Sequence, residues 1–244
     1  MRRGTSSPTC RCSGARTGCS SSSNPAAAAT AIPHLERFVI ADDVTFEDAS
    51  AALRVIPVLG PEAAAKVADV AGDRLESRRR GLPAVDLVVP AAEAEPVRAA
   101  LVARGAAALD ADALELLRIE AGRPRWGAEL DGSRLPMEAG LTKEAISFFK
   151  GCYVGQEVVM RATARGRLQK GLVVLGLPPG AAPGAKLTAA GQEVGWVTSA
   201  ADGPEGRVGL GYLRRAHWNV GERVAVASGG DAEVRRVVVE EPEP

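Results

Sequence analysis

The pattern of apolar and polar positions along the chain changes from alternating strand-like and helical segments to short strands alone. Residues 85–89 form an apolar run between two prolines and predict a buried strand, and residues 54–59 predict another. Residues 95–104 have helical spacing, and Gly105 directly after them is typical of a helix end. Strands that alternate with helices in residues 31–165 predict an α+β or α/β layer architecture for this part of the chain.

Less regular patterns predict further elements in the same part. Residues 38–40 and 44–46 are rich in β-branched and aromatic side chains, which predicts two strands. Residues 63–71 predict a short helix that follows a turn and ends at a glycine. Asp112 and Glu115 have the spacing of a capping box, which predicts that another helix begins there.

After residue 165 the chain consists of strand-like runs separated by turn residues. The runs are residues 168–177, 193–199, 207–212, 223–227 and 232–239. Between them, Ala190-Gly191 and Gly229-Gly230 have the residue types that tight hairpin turns require. Five or six short strands with regular turns predict a small antiparallel barrel or sandwich over residues 166–244.

Residues 1–30 differ from the rest of the chain in composition. They are rich in Ser, Ala and Arg and contain no acidic residue, so they have too little apolar surface to offset the entropy of ordering. We therefore expect a disordered tail. An Arg- and Ser-rich, acid-free start also describes a mitochondrial transit peptide, but we favour truncation or a reading-frame error. Cys10, Cys12 and Cys19 have no nearby fourth ligand, and we predict no metal site among them.

Charge and cysteine usage argue against several classes of function. The chain has 30 basic and 30 acidic side chains, which gives no electrostatic reason to expect nucleic acid or a membrane surface. No apolar run approaches the ~20 residues that a membrane span needs. Cysteines without a paired framework favour a reducing compartment, and we expect the cytoplasm. Neither a phosphate-binding loop nor a dinucleotide fingerprint is present.

The most informative segment is residues 150–157, Lys-Gly-Cys-Tyr-Val-Gly-Gln-Glu. Gly151 and Gly155 permit positive φ or the close approach of a ligand. Lys150 lies two residues before Cys152 and would favour the thiolate, the form that attacks electrophiles and ligates metals. The alternative is that Cys152 is a small buried side chain in a helix-capping turn.

Other side chains of this octapeptide also permit two interpretations. Gln156 and Glu157 either bind a ligand or occupy the start of a helix, where Glu157 would be favoured by the helix dipole. Tyr153 either stacks on a bound ring or fills the core. The residues alone leave these alternatives open.

The octapeptide and three further motifs occur in the order found in one family. The motifs are Arg-Ile-Glu-Ala-Gly-Arg-Pro at 118–124, Leu-Pro-Met-Glu-Ala-Gly-Leu at 135–141 and Val-Gly-Trp-Val-Thr-Ser at 194–199. Together they resemble the YgfZ-type folate-binding proteins, which are relatives of the glycine-cleavage T protein, an aminomethyltransferase. The resemblance covers residues 31–240 and implies a partial α+β folate-binding domain followed by a C-terminal β-barrel. Since family members carry a longer segment before these motifs, we expect the chain to be N-terminally truncated.

The resemblance implies a role for each matched residue. Glu120 matches a family glutamate that holds the pterin of tetrahydrofolate, and a carboxylate can accept the two adjacent pterin N–H donors. Lys170 lies near a position where a basic residue meets the folate tail. We therefore expect Cys152 and Lys150 to be catalytic and no residue to ligate a metal. The expected folate-binding residues are Arg118, Glu120, Gly151, Tyr153, Gly155, Gln156, Glu157 and Lys170.

The cysteine in the octapeptide also bears on function. YgfZ-type proteins carry cysteine where aminomethyltransferases usually carry an acidic residue, so Cys152 implies an accessory role in iron–sulfur cluster assembly or repair. The partners would then be cluster-assembly proteins or client enzymes. The alternatives are a tetrahydrofolate-dependent aminomethyltransferase, an incomplete fragment without activity and, for location, the mitochondrial matrix.

Overall fold

The chain forms two compact units, Met1–Leu109 and Asp110–Pro244. A computed structural model describes residues 11–13, 18–20, 25–40, 44–77, 81–164 and 168–239. Among these residues, no helix is long and apolar enough to cross a membrane.

The first unit begins with elements that the sequence did not predict. A short antiparallel pair, β1 (Arg11–Ser13) and β2 (Gly18–Ser20), precedes the helix α1 (Pro25–Glu36). Proline suits the first helical position and alanine has the highest helix propensity, so the Ala-rich run after Pro25 favours a helix. The predicted disorder of residues 1–30 therefore does not extend to these segments. The remainder of that prediction lies outside the described residues.

The first unit is built on a three-stranded antiparallel sheet. The elements are β3 (Leu53–Leu59), α2 (Ala63–Lys66), β4 (Asp73–Ser77), β5 (Ala84–Pro90), a 3₁₀ turn (Ala91–Glu93) and α3 (Ala94–Ala103). The strand order is β3-β5-β4. Leu87 and Val89 of the central strand pack with Val58, Val67 and Leu101. Residues Ala84 to Leu87 of β5 are all buried, and so is Val89, which explains the largely apolar sequence of this central strand; the buried Asp86 interrupts the predicted apolar run.

Three of the elements predicted for residues 31–109 are confirmed, and three predictions are wrong. The strands predicted at 54–59 and 85–89 are β3 and β5, and the helix predicted at 95–104 is α3. Residues 38–40 and 44–46 form no strand, although their composition favours one, because no strand in the described part of the chain pairs with them. The helix predicted at 63–71 is limited to α2.

The second unit combines short helices with a closed β-barrel. Its helical elements are α4 (Ala111–Glu120), a 3₁₀ turn (Pro136–Ala139), α5 (Thr142–Ala145), α6 (Gln156–Ala164) and a later 3₁₀ turn (Arg215–His217). Its strands are β6 (Lys170–Gly176), β7 (Lys186–Ala189), β8 (Gln192–Gly203), β9 (Gly206–Arg214), β10 (Arg223–Val226) and β11 (Asp231–Val237). The six strands close in the order β10-β11-β6-β9-β8-β7, and every pair is antiparallel.

The barrel confirms the predicted fold class and most of its strands. The turn at Ala190-Gly191 has φ of 48° and 76°, and Gly229-Gly230 has 102° and 77°, so both predicted hairpin turns are present. Strand β7 was not predicted because its four residues lie between turn signals. It nevertheless closes the barrel by pairing with both β8 and β10.

The helix α4 belongs to the same compact unit as the barrel. Ile119 is fully buried and packs with Leu172, Leu210 and Tyr212 from the barrel strands. The sequence predicted a boundary at residue 165, where the strand-like runs begin. The compact unit instead begins at Asp110, because α4 buries its apolar side on the barrel.

Candidate functional site

The helix α4 presents the Arg-Ile-Glu-Ala-Gly motif at its C-terminal end. Asp110 caps the helix by accepting a hydrogen bond from the Ala113 backbone N–H at 2.7 Å. The capping box predicted at Asp112 is therefore wrong, and the cap lies one position before the first helical residue. The motif ends at Gly122, whose φ of +67° is the left-handed conformation that glycine adopts without strain.

The second Glu-Ala-Gly motif ends in the same way. The 3₁₀ turn Pro136–Ala139 is followed by Gly140, which has a φ of +72°. A Cβ atom on Gly140 would lie 2.5 Å from the Val238 carbonyl oxygen, and one on Gly122 would lie 2.7 Å from Val238 Cγ2. Both motifs thus end on a left-handed glycine that packs against Val238, which places the two turns against one segment.

Arg118 is buried and bonded only to protein groups. Its guanidinium donates two hydrogen bonds to the Glu115 carboxylate, at 2.8 and 2.6 Å. The other three bonds go to the Arg123 carbonyl at 2.6 Å, Glu129 Oε2 at 2.9 Å and Ser199 Oγ at 2.7 Å. Burial by itself lowers the pKa of Arg118, but the bonds and charges of Glu115 and Glu129 outweigh it and raise the pKa. All five N–H donors are used, so Arg118 has none left for a ligand.

Glu129 is the buried centre of this network, and no sequence motif predicted it. Its fully buried carboxylate accepts hydrogen bonds from Arg118 (2.9 Å), the Arg125 backbone N–H (3.0 Å), Thr198 Oγ1 (2.7 Å) and Ser199 Oγ (2.6 Å). The two hydroxyl residues belong to the Val-Gly-Trp-Val-Thr-Ser motif on β8. That motif therefore holds a buried carboxylate in place. No local signal could have found Glu129, since its partners come from separate segments.

The backbone of Glu129 is also held by the barrel. Tyr212 is fully buried on β9, and its hydroxyl donates to the Glu129 carbonyl oxygen at 3.0 Å. Burial raises the pKa of this phenol well above its ordinary value, so Tyr212 remains a neutral hydrogen-bond donor across the physiological range. The loop after α4 is thereby fixed to two barrel strands.

Glu120 differs from the other acidic side chains of this region. It is exposed, and its carboxylate makes no hydrogen bond or ion pair with any residue in the described part of the chain. Its backbone is held, because its carbonyl oxygen accepts a hydrogen bond from Arg236 Nη2 at 2.5 Å. Gly203 lies beside it, and a Cβ atom there would be 3.5 Å from Glu120 Oε1. An anion at a helix C-terminus is disfavoured by ~0.3–1 kcal/mol, so this unpaired carboxylate does not serve helix stability.

Glu138, the acidic residue of the second motif, is buried and paired with Lys170. Lys170 Nζ lies 3.7 Å from Glu138 Oε2, and the Leu135 backbone N–H donates to the same carboxylate at 3.3 Å. Burial raises the pKa of Glu138, and the positive charge of Lys170 opposes this only in part. The cation expected to meet a folate tail is thus close to an internal partner.

The octapeptide forms the turn that begins α6. Gly155 has a φ of +85°, whereas the φ of Gly151 is not positive. Gln156 and Tyr153 bond reciprocally, with N–H(156) to O(153) and N–H(153) to Oε1(156) both at 3.2 Å. Glu157 lies in the first turn of the helix and pairs with Arg161. Gln156 and Glu157 therefore have the helix-starting interactions that the sequence left as an alternative.

Cys152 is an exposed free thiol, so the interpretation as a buried side chain is wrong. Lys150 Nζ lies 4.7 Å from the centre of the Tyr153 ring, a cation–π distance. The Tyr153 hydroxyl is buried without a hydrogen-bond partner in the described part of the chain. Phe149, just before the octapeptide, is fully exposed.

The structure does not join the expected site residues into one cluster. Among the described residues, no hydrogen bond, ion pair or ring contact links the octapeptide to Arg118 or Glu120. An open groove of about 540 Å³ lies beside the Arg118 network, and neither Glu120 nor Cys152 lines it. Its lining residues are Glu115, Arg125, Gly127, Ala128, Pro183, Gly184 and residues 196–200. The described residues also include no group of three His, Cys, Asp or Glu side chains placed to hold a metal ion.

Comparison with known proteins identifies the barrel. The model of the glycine cleavage T-protein C-terminal barrel domain matches residues 170–242, which include all six strands β6–β11. This part of the chain is similar to the glycine cleavage T-protein C-terminal barrel domain. The T-protein resemblance seen in the motifs is thereby confirmed for this part of the chain, and the narrower YgfZ-type resemblance stays a prediction.

Relatives of the T-protein type match beyond the barrel. A chloroplastic protein of Arabidopsis thaliana, described as a candidate transferase, is 38% identical over 52% of this chain and 29% of its own length. The aminomethyltransferase of Thermus thermophilus is 30% identical over 74% of this chain and 56% of its own length. The chain is therefore similar to aminomethyltransferases but spans little more than half, or less, of these two relatives.

A solved structure shows the same fold. The glycine cleavage system aminomethyltransferase T from Bartonella henselae superposes with a TM-score of 0.71 and 22% identity. The match covers 90% of this chain and 66% of that chain. At this identity the likeness is one of fold, and it agrees with the α+β architecture and C-terminal barrel predicted from the sequence.

Proposed function

We propose that this chain binds a reduced folate through Glu120 and acts as a YgfZ-type accessory protein in iron–sulfur cluster assembly or repair. The observation that carries the folate part is the Glu120 carboxylate, which is exposed and free of protein partners while Arg118, Glu115 and Glu129 are tightly paired. The T-protein barrel and the aminomethyltransferase relatives support the same ligand class.

The chemistry of Glu120 fits a pterin. The pterin ring presents a ring N–H and an exocyclic amine side by side, and the two oxygens of a carboxylate can accept both. The backbone of Glu120 is already held by Arg236, so binding has to order only the side chain, at a cost of ~0.5–1.5 kcal/mol. Gly203 keeps the space next to Oε1 free of a side chain.

The test is anaerobic titration calorimetry with tetrahydrofolate on the wild type and on Glu120→Gln. The amide has one acceptor oxygen and no charge, so the variant should lose ~1.5–3 kcal/mol of binding free energy, roughly 10- to 150-fold in Kd. Glu193→Gln is the matched control, because Glu193 is an exposed barrel carboxylate paired with Lys186 at 2.8 Å. Equal affinity of Glu120→Gln and the wild type would remove Glu120 from the site.

The accessory role is supported by Cys152, a thiol exposed in the octapeptide where it is accessible to iron or an electrophile. A tetrahydrofolate-dependent aminomethyltransferase is the second candidate, and the aminomethyltransferase relatives favour it. Because Cys152→Ser removes the thiol with little change in volume, it should abolish the accessory role while leaving folate affinity intact.

The two roles can be separated in cells that carry only the Cys152→Ser protein. The accessory role predicts that the activity of aconitase, an iron–sulfur enzyme, falls while glycine cleavage is unchanged. Reduced glycine cleavage with normal aconitase would replace the accessory role with the transferase role.

A further inference from the structure

Glu129 is a buried carboxylate at the centre of a hydrogen-bond network that joins the loop after α4 to the barrel. Its side chain is fully buried and accepts four hydrogen bonds, one of them from the Arg118 guanidinium. Taking a carboxylate and a guanidinium out of water carries a large desolvation penalty, and apolar residues of similar volume often stabilise a fold equally well. The pair is therefore weak evidence for stability and invites a functional explanation.

The network reaches the backbone on both sides of Glu120. The Arg118 guanidinium donates to the Arg123 carbonyl at 2.6 Å, and the Arg123 N–H donates to the Arg118 carbonyl at 2.9 Å. These two bonds close the turn that contains Glu120. The same Arg118 nitrogen, Nη1, donates to Glu129 at 2.9 Å, so Glu129 holds the group that closes the turn.

Glu129 is itself anchored to the barrel. Thr198 and Ser199 on β8 donate to one of its carboxylate oxygens, and Arg118 and the Arg125 backbone N–H donate to the other. A rigid strand thus fixes the carboxylate, the carboxylate fixes Arg118, and Arg118 fixes the turn. The Glu120 side chain extends from this turn, and its carboxylate has no hydrogen-bond or ion-pair partner among the described residues.

We infer that Glu129, acting through Arg118, is a positioning residue that orients the Glu120 carboxylate toward a pterin ring. This inference rests on the proposed function. Binding groups must be held close to their productive geometry. Here the network and Arg236 hold the backbone from which the Glu120 side chain extends. The motif resemblance predicted that Arg118 binds the ligand, whereas in this inference it holds the turn and does not contact the ligand.

The decisive experiment is a double-mutant cycle measured by tetrahydrofolate titration. Glu129→Gln keeps the volume but removes the negative charge opposite Arg118. Its amide has one acceptor oxygen, so either the Arg118 side or the Thr198 and Ser199 side loses its acceptor, which loosens the turn. It should weaken binding about tenfold in the wild type. In the Glu120→Gln background, the same change should weaken binding less than about twofold, since the group it orients is already altered.

Two variants separate positioning from loss of stability. Val226→Ala removes two buried methyl groups from β10, and it should lower stability while leaving tetrahydrofolate affinity unchanged. Arg118→Lys keeps the charge but cannot form the five bonds of Arg118, and it should weaken binding as Glu129→Gln does. Arg118→Lys also keeps the test decisive should Glu129→Gln fail to fold.

The outcomes distinguish this inference from the proposed function. Wild-type affinity in Glu129→Gln, or in Arg118→Lys, would overturn the positioning role while leaving Glu120 in the site. Losses from Glu120→Gln and Glu129→Gln that multiply fully would also overturn it, because they would act independently. Absence of tetrahydrofolate binding by the wild type would overturn the proposed function and the inference with it.

Discussion

Replacement of Gly140 by alanine tests how the second Glu-Ala-Gly motif is held against the barrel. Gly140 has a φ of +72°, and a Cβ atom would lie 2.5 Å from the Val238 carbonyl oxygen and 2.8 Å from Val238 Cγ1. The carbonyl belongs to the backbone and cannot rotate away as a side chain would. The variant therefore combines a strained conformation with a clash that requires the chain to move.

The magnitude follows from three contributions. Left-handed backbone costs an L-residue ~1–2 kcal/mol, and forcing a methyl group into a packed site costs ~1–3 kcal/mol. Alanine restricts the unfolded chain more than glycine does, which offsets ~0.4–1 kcal/mol of this. Gly140→Ala should lower the free energy of unfolding of the second unit by about 2–4 kcal/mol.

Gly184→Ala is the matched control. Gly184 has a similar φ of +87°, but nothing lies within 4 Å of its Cβ position. This variant therefore carries the conformational strain without the clash, and it should lose only about 1 kcal/mol. The difference between the two variants measures the contact with Val238.

Urea denaturation followed by tryptophan fluorescence is the assay. All three tryptophans, Trp126, Trp196 and Trp218, lie in the second unit, so the signal reports the unit that contains Gly140. Equal losses for Gly140→Ala and Gly184→Ala would refute the clash with Val238. A changed denaturant slope would show that the variant alters the native or unfolded state more broadly.

Three further predictions concern other positions. Because the pKa of Glu138 is raised by burial, its contribution to stability is fully present below its ordinary pKa of 4.5 and is lost as the pH rises through the raised value. The free energy of unfolding, measured by denaturation at several pH values, should therefore rise for Glu138→Gln relative to the wild type as the pH increases. A difference that stays constant with pH would contradict the raised pKa. Ala190→Asn should raise the free energy of unfolding by about 0.5–1 kcal/mol, because asparagine tolerates the positive φ of 48° at this exposed turn position and alanine does not; a less stable variant would refute this. Iodoacetamide should label Cys152 in the native protein, as peptide mapping can show, and protection that disappears only in urea would contradict its exposure.

The sequence determined most of the fold because the signals for it are local. The largely apolar run of β5, the turn residues at 190–191 and the glycines that end the two Glu-Ala-Gly motifs act over a few neighbouring positions, and the structure agrees with each. Predictions failed where tertiary partners decided the result. The four residues of β7 become a strand because two neighbours pair with them, whereas no strand among the described residues pairs with residues 38–40.

The residues of the candidate site also fall into those that the sequence predicts and those that depend on tertiary partners. The motif containing Glu120 and the glycine that ends it could be read from the sequence, because they form one turn. The burial of Arg118 and the role of Glu129 could not, because Ser199 and Thr198 lie 70 and 69 residues from Glu129 along the chain. Which carboxylate is paired and which is left free depends on which distant donors the closed barrel brings within hydrogen-bond distance. Sequence therefore determined the turns and strands, and only the tertiary structure decided which side chains are free to bind.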